Sequence, residues 1–534
     1  MSNQPDSPPL PSWEDPEISR LLAEPITGRR EVPLARQVFV NRTLRMDKIE
    51  AVGFDMDYTL AIYQLRQMEE LAFRMTAGHL VAKCGYPAAL IEVPYDPDFV
   101  IRGVVVDKLH GNLFKMDRHN HVGRGVHGRR PIPDEALHRL YREEKIHLSS
   151  PRFAWLDTLF ALPEGCLFAE AIELLERGGA EVGYGKLFDD IREAIDTVHR
   201  DGSLKAVVLA DLPRYLVRDP ELGPALHKLR SGGKRLFLLT NSHADYTDAV
   251  MRHVLDGVLP EYASWRSYFD AVITDAAKPG FFGERRPLLL LRPDGTAAGE
   301  ATSLERGKTY QGGDLARLEE LLGVGGDRVL YVGDHIYGDI LRSRKSSLWR
   351  TALVVEELER ELDWLNGHRD VLGELAGLER RRVQLEDAVA SHRTALNQAE
   401  RRRDKAPAGE GARAEEESRR IREELDALRG ALREAGERID ALARALETGV
   451  NPTWGFLFKE GNENSRFGEQ VEDYACLYTS RASNFGYYSP IERFRSPRAA
   501  MPHERATVVL SLWGEEHGPA AAAARPSKAS KASH

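Results

Sequence analysis

Two aspartates two residues apart, Asp55 and Asp57, follow directly on the apolar run Ala51-Val-Gly-Phe54. In extended backbone, residues i and i+2 face the same side, so both carboxylates can converge on one site while Met56 points away. Carboxylates that close repel unless a cation or a proton lies between them. Three further polar clusters each close an apolar run: Thr240-Asn241-Ser242, Asp275-Ala-Ala-Lys278-Pro279, and Gly333-Asp334-His335-Ile336-Tyr337-Gly338-Asp339. Together they offer carboxylates for a hard divalent cation, one lysine, and short hydroxyl and amide donors for an oxyanion. Mg²⁺ is held by a few oxygens alongside substrate phosphate and retained water, and a phosphoryl group in transfer needs its charge neutralised from several sides. One carboxylate can attack phosphorus while its neighbour acts as acid and then base. Taken singly, each cluster reads more readily as a solvated strand end, a helix N-cap or a turn. All four, in this order and each after an apolar run, point to phosphoryl transfer.

The runs that must position these groups, ending at Phe54, Leu239, Thr274 and Val332, are short and apolar, with helical patterns between the later ones. That is the pattern of a parallel sheet in an α/β fold, whose ligands collect beyond the carboxyl ends of the strands. The stretch between Asp57 and Thr240 is far longer than the dozen or so residues a parallel crossover needs, so an inserted cap is expected there. Within it, Arg192, Asp196 and His199 fall at i, i+4 and i+7 on one helix face, with Ile191, Ile195 and Val198 on another; alone, that face reads as solvated. Lys205 follows shortly after.

Residues 371–448 are rich in Glu, Arg, Ala and Leu, and Ile421, Leu425, Leu428, Leu432, Ala435, Ile439, Leu442 and Leu446 alternate spacings of four and three, a heptad seam. A weaker seam runs from Leu375 to Ala399, and residues 404–411 between the two contain Pro and Gly. An antiparallel hairpin is expected, either a self-contained insertion or an oligomer interface. The 534 residues carry 74 Lys and Arg against 83 Asp and Glu, a net charge of −9, which excludes the electrostatic footprint of a general nucleic-acid binder. Cys84, Cys166 and Cys476 have no CxxC spacing and suggest neither a disulfide framework nor a zinc site. The proline-rich, acidic start does not read as a secretory signal, and no run approaches a membrane span. A soluble, cytoplasmic protein is expected, with disordered ends at residues 1–30 and 511–534.

The four clusters resemble the four motifs of the haloacid dehalogenase-like phosphohydrolases. Phe54-Asp-Met-Asp-Tyr-Thr-Leu60 with Gly333-Asp-His-Ile-Tyr-Gly-Asp-Ile340 resembles the form in the cytosolic purine 5'-nucleotidase II family, and the similarity runs from Val38 to Glu504 around the hairpin. The resemblance implies a Rossmannoid α/β core over residues 31–60, 206–355 and 450–510, a cap over 61–205 and a coiled-coil hairpin over 356–449. It implies Asp55 as nucleophile and Mg²⁺ ligand, Asp57 as acid/base with its backbone carbonyl on the metal, Asp334 as a third ligand and Asp339 in support. Thr240 would hold the phosphoryl oxygens and Lys278 balance charge. Phe160 would stack on the base beside His199, Arg192 and Asp196 would read a 6-oxopurine, and Lys205, Asn241 and Ser242 would contact the nucleotide. Arg192 can donate to O6 and N7, where adenine offers an amino donor.

The function implied is Mg²⁺-dependent hydrolysis of purine nucleoside 5'-monophosphates, IMP and GMP ahead of AMP, through an aspartyl-phosphate that a nucleoside can also capture. A nucleotide effector such as ATP and a homo-oligomer are implied as well. Tyr337 and Gln470 fit the effector site, whereas Asp473 stands where a basic residue is expected and Ala161 replaces a polar residue beside Phe160. The alternatives are a phosphatase of the same fold acting on another phosphomonoester, which needs no base-reading set, and a nucleotide-sensing scaffold working through the coiled coil, which needs no nucleophile.

Overall fold

A computed structural model describes residues 32–142, 146–336, 339, 347–405, 407 and 411–497. The expected disordered ends, Tyr337 and the similarity at Met501–Glu504 lie outside the described residues.

A ten-stranded, mostly parallel sheet organises the chain. Its strands are β1 (Phe39–Val40), β2 (Ala51–Phe54), β3 (Arg235–Leu239), β4 (Ala271–Thr274), β5 (Leu288–Leu291), β6 (Ala297–Glu300), β7 (Thr309–Gly312), β8 (Val329–Gly333), β9 (Arg350–Val354) and β10 (Leu477–Thr479). Their spatial order is β1-β10-β9-β8-β2-β3-β4-β7-β5-β6, and every pairing from β10 through β7 is parallel. Strands covered on both faces carry no polar alternation, and every residue of β2, β4 and β8 is buried. The four apolar runs of the sequence are thus strands of one sheet, with β2 central between β8 and β3. Gly53 is required there, because a Cβ would lie 2.2 Å from the Phe237 ring on β3.

The chain leaves this sheet through the two-residue strand Ile62–Tyr63 and returns through Leu216–Val217, paired antiparallel with Leu216 opposite Tyr63. Between these crossings lie α1 (Leu65–Cys84), α2 (Leu162–Arg177), α3 (Tyr184–Arg200) and α4 (Ser203–Ala210). A five-stranded antiparallel sheet completes the insertion, ordered Arg130–Pro131, Val122–His127, Asn112–Met116, Val104–Asp107, Phe153–Leu156. After β3 comes α5 (Ala244–Leu255).

Two long helices, α6 (Arg369–Asp404) and α7 (Gly411–Val450), follow β9. Arg438 pairs with Glu374, Arg422 with Glu400 and Arg402 with Glu417, so the end of one helix lies beside the start of the other. Leu385 and Ala399 of α6 and Ile421, Leu425, Ile439 and Leu446 of α7 are buried within this single chain. At the base, the Trp364 indole donates to the Leu446 carbonyl at 3.1 Å. No helix among the described residues is long and apolar enough to cross a membrane.

Candidate active site

The loop after β2 wraps one carbonyl. Met56 O accepts from the amides of Thr59, Leu60 and Ala61 at 3.3, 3.0 and 2.9 Å, while the Met56 side chain is fully buried. Tyr58 completes the wrap in the left-handed region, at φ 54°, a conformation uncommon for a non-glycine residue and worth attention beside a candidate site. Asp55 and Asp57 therefore emerge beyond the carboxyl end of the central strand.

Asp55 faces Lys278. The Lys278 ammonium lies 2.9 Å from Asp55 Oδ1, 2.7 Å from Asp339 Oδ1 and 3.0 Å from the Tyr331 hydroxyl. Carboxylate oxygens of Asp55, Asp334 and Asp339 all lie within 4.8 Å of one another. A Cβ on Gly333 would come 2.6 Å from Asp339 Oδ2, so the close approach of Asp339 to β8 requires glycine. From behind, the fully buried Arg102 donates to the Asp334 carbonyl at 3.0 Å, and its Nε donates to Glu357 at 2.7 Å.

Burial is the main force raising the carboxyl pKa values of Asp55 and Asp334, and repulsion from neighbouring carboxylates adds to it. Asp334 is pushed up to about 7, by burial and then by the Asp339 carboxylate. Asp55 is raised well above the usual carboxylate range by burial, against the pull of Lys278 and with the push of Asp339 and Asp334. Burial alone would depress Lys278, but Asp339 and Asp55 outweigh it and hold the ammonium well above its ordinary range. With all three carboxyls ionised, one lysine leaves an excess of two negative charges, which is the repulsion that raises Asp55 and Asp334 further. Hard oxygen donors with that excess fit a divalent cation such as Mg²⁺.

Asp57 turns its side chain the other way. Its Oδ1 accepts from the Tyr63 hydroxyl at 2.6 Å and its Oδ2 from the Ser242 hydroxyl at 2.9 Å. Lys205 Nζ lies 3.4 Å from the same Ser242 oxygen. Thr240 is fully buried at the end of β3, its hydroxyl accepting from the Ser242 amide at 3.1 Å. Asn241 engages the Lys278 backbone, donating to its carbonyl at 2.9 Å and accepting from its amide at 2.6 Å.

The groups expected to read the base lie on the inserted region. Phe160 packs edge-on against Tyr58 at 4.7 Å and against His199 at 5.6 Å, which brings it beside the aspartate loop. His199 bonds through Nδ1 to the Ile195 carbonyl, while its buried Nε2 has no partner among the described residues; burial lowers its pKa. Arg192 is held by Glu164, which accepts from Nε at 2.9 Å and from Nη2 at 2.7 Å. Asp196 is exposed. Gln470 and Asp473 lie on the helix Arg466–Tyr474, where the Asp473 carbonyl accepts from Arg42.

Sequence reasoning missed Tyr63, Arg102 and Glu164. Tyr63 reaches Asp57 only through the fold of the intervening loop and meets Tyr246 far along the chain, Arg102 meets the distant Glu357, and only Glu164, one of many acidic residues near a helix start, left even a weak local signal.

Residues 38–506 match the model of the 5' nucleotidase family. A 5'-nucleotidase domain-containing protein of Dictyostelium discoideum is 32% identical over 478 residues, 88% of this chain and 75% of that protein. The 5'-nucleotidase domain-containing protein 2 of Rattus norvegicus is 33% identical, and that of Homo sapiens 32% identical, each over 342 residues and 62% of this chain. Those matches span 61% and 64% of the two mammalian proteins, less than two thirds of their length. With a family match running through every motif of the site, the chain belongs to the 5' nucleotidase family of hydrolases.

Proposed function

We propose that this chain hydrolyses purine nucleoside 5'-monophosphates, IMP and GMP ahead of AMP, at a Mg²⁺ centre of haloacid dehalogenase type. The observation that carries the reading is the Asp55, Asp334 and Asp339 cluster facing Lys278 at the ends of parallel strands. Asp55 and Asp334 would hold Mg²⁺ through their carboxylates and Asp57 through its backbone carbonyl, with Asp339 beside them. Mg²⁺ bound there would neutralise charge on the phosphoryl oxygens.

In this reading an Asp55 carboxylate oxygen attacks phosphorus, the bond from phosphorus to the ribose 5' oxygen breaks, and that oxygen takes a proton from Asp57. Water then attacks the aspartyl-phosphate, giving its proton to Asp57 and releasing phosphate with Asp55 restored. Capture by a nucleoside hydroxyl in place of water gives phosphotransfer. Thr240 positions the phosphoryl oxygens, and Lys278 offsets charge on Asp55 and the phosphoryl group. The insertion acts as the cap: Phe160 stacks on the base, His199 flanks it, and Lys205, Asn241 and Ser242 contact the nucleotide. Arg192, held in orientation by Glu164, donates to the 6-oxopurine edge, and Asp196 accepts from its N1–H. The contact of Phe160 with the aspartate loop favours this reading over a phosphatase with no base-reading set.

A panel of IMP, GMP, AMP and UMP, with and without Mg²⁺ and ATP, tests it by phosphate release. Mg²⁺-dependent release fastest on IMP and GMP is expected, abolished by Asp55→Asn. Equal rates on AMP and IMP would remove the base-reading assignment, and activity persisting in Asp55→Asn would remove the aspartyl-phosphate.

A further inference from the structure

We propose that Tyr63 and Tyr246 form a directed hydrogen-bond chain that positions Asp57 and reserves its Oδ2 as the oxygen that exchanges the catalytic proton. The inference rests on the reading of Asp57 as acid and base. The Tyr63 hydroxyl lies 2.6 Å from Asp57 Oδ1 and 3.0 Å from the Tyr246 hydroxyl. An ionised carboxylate only accepts, and a phenol has one proton. Tyr63 must therefore donate to Asp57, and the hydrogen bond between the phenols must run from Tyr246 to Tyr63. Both rings are buried, at 2% and 3% exposure, and a phenol, with an ordinary value of about 10, keeps its proton at neutral pH, so both are donors.

The consequence lies on the second oxygen. Tyr63 points its one proton at Oδ1, whereas the Ser242 hydroxyl that donates to Oδ2 at 2.9 Å can turn to accept, so a proton on Asp57 belongs on Oδ2, with Lys205 one step beyond. Those are the groups assigned to the nucleotide, so the working oxygen points toward the leaving group. Tyr63 is well placed to hold this geometry. It sits opposite Leu216 in the short ribbon where the chain leaves and re-enters the main sheet, and Tyr246 belongs to α5, which follows the Thr240 cluster. Neither tyrosine touches the reacting atoms in this account; both act through Asp57.

The test separates positioning of a proton donor from general structural support by changing the need for a proton. IMP requires protonation of its leaving oxygen, whereas an analogue with sulfur in place of the bridging 5' oxygen expels a thiolate that needs none. The value of kcat/KM reports the step that breaks this bond. For Tyr63→Phe we expect kcat/KM on IMP to fall about 10- to 100-fold, as for loss of a hydrogen bond to a charged group, with a change under about threefold on the sulfur analogue. Tyr246→Phe should show the same selectivity with a smaller loss, and Asp57→Asn the same selectivity with a larger one. Thermal midpoints and circular dichroism establish that each variant is folded. If Tyr63→Phe loses equally on both substrates, or on neither, while Asp57→Asn is selective, the chain of tyrosines has no positioning role and this inference alone is overturned. If Asp57→Asn is itself unselective, the acid role of Asp57 fails and this inference fails with it.

Discussion

Asn241 grips the backbone of Lys278 with both ends of its carboxamide, the amide group on the Lys278 carbonyl at 2.9 Å and the oxygen on the Lys278 amide at 2.6 Å. The loop after β3 therefore fixes the loop after β4, and the Lys278 ammonium reaches Asp55 and Asp339 from a backbone held in place. Sequence reading placed Asn241 on the nucleotide; the structure gives its side chain this second task.

Replacing Asn241 by Ala removes both bonds without touching the ammonium. Each is worth about 0.5–1.5 kcal/mol, so a loss of about 1–3 kcal/mol from the local geometry is expected. We predict a fall in kcat of about 10- to 100-fold with a thermal midpoint nearly unchanged. Lys278→Met, which removes the charge itself, should cost more, on the order of 10³-fold, in keeping with the weight of electrostatic stabilisation. Steady-state kinetics on both variants check the ordering; an Asn241→Ala enzyme with wild-type kcat would show that the grip has no catalytic consequence.

The carboxylate cluster sets a direction for the pH dependence of stability and, with the proposed cation site, for its dependence on metal. Asp334, with an ordinary value of 3.8, is raised to about 7 in the fold, chiefly by burial. Between those values the folded protein holds more protons than the unfolded chain, so stability falls as pH rises through that window. A divalent cation in the proposed site would replace the proton as counter-charge, and its binding would strengthen as the carboxyls ionise. The thermal midpoint in a chelator is predicted to drop from about pH 5 to about pH 7.5, with Mg²⁺ restoring more at the upper pH; saturation at 100 times Kd gives about 2.7 kcal/mol. Equal Mg²⁺ stabilisation at both pH values would contradict this.

The placement of these polar groups at the strand ends was legible because parallel strands buried on both faces read as unbroken apolar runs, and ligands of such sheets collect beyond their carboxyl ends. Asp55, Thr240, Lys278 and Asp334 could all be named from that pattern. Their division of labour could not. Asp339 stands with Asp55 and Asp334 in one cluster, while the Asp57 side chain turns to Tyr63 and Ser242, because side-chain direction depends on how the loop wraps the Met56 carbonyl. Tyr63 meets Tyr246, and Arg102 meets Glu357, across long stretches of chain. No local spacing marks contacts that tertiary folding creates.

Arg192 offers a separation between binding and folding. Glu164 is buried and is raised by that burial, with Arg192 pulling it back. Arg192→Ala should lower kcat/KM for IMP and GMP by about 10- to 100-fold while leaving AMP within about threefold, the discrimination one bidentate purine contact supplies. It also strands the Glu164 carboxyl, at a cost of about 1–3 kcal/mol. The double variant Arg192→Ala with Glu164→Gln should recover stability without recovering the purine preference. Substrate profiles and thermal midpoints, measured on the same preparations, check both halves.

The long helices α6 and α7 bury their apolar seam against each other and cross-link it through Arg438–Glu374, Arg422–Glu400 and Arg402–Glu417. Exposed pairs of this kind contribute about 0.2–1 kcal/mol each, so the buried Leu385, Ile421, Leu425, Ile439 and Leu446 must supply most of the arm's stability. An arm whose seam packs within one chain offers a second copy little fully exposed apolar surface beyond Val383. Deleting residues 371–448 and joining the ends with a short flexible linker is therefore predicted to leave the sedimentation coefficient consistent with an unchanged number of subunits, and kcat on IMP within about twofold. Leu425→Asp in the full chain should instead melt the arm, lowering helical circular dichroism, because burying an unpaired carboxylate costs several kcal/mol. If the deletion lowers the number of subunits, the seam seen within one chain exchanges for contacts between chains, and the arm is an interface.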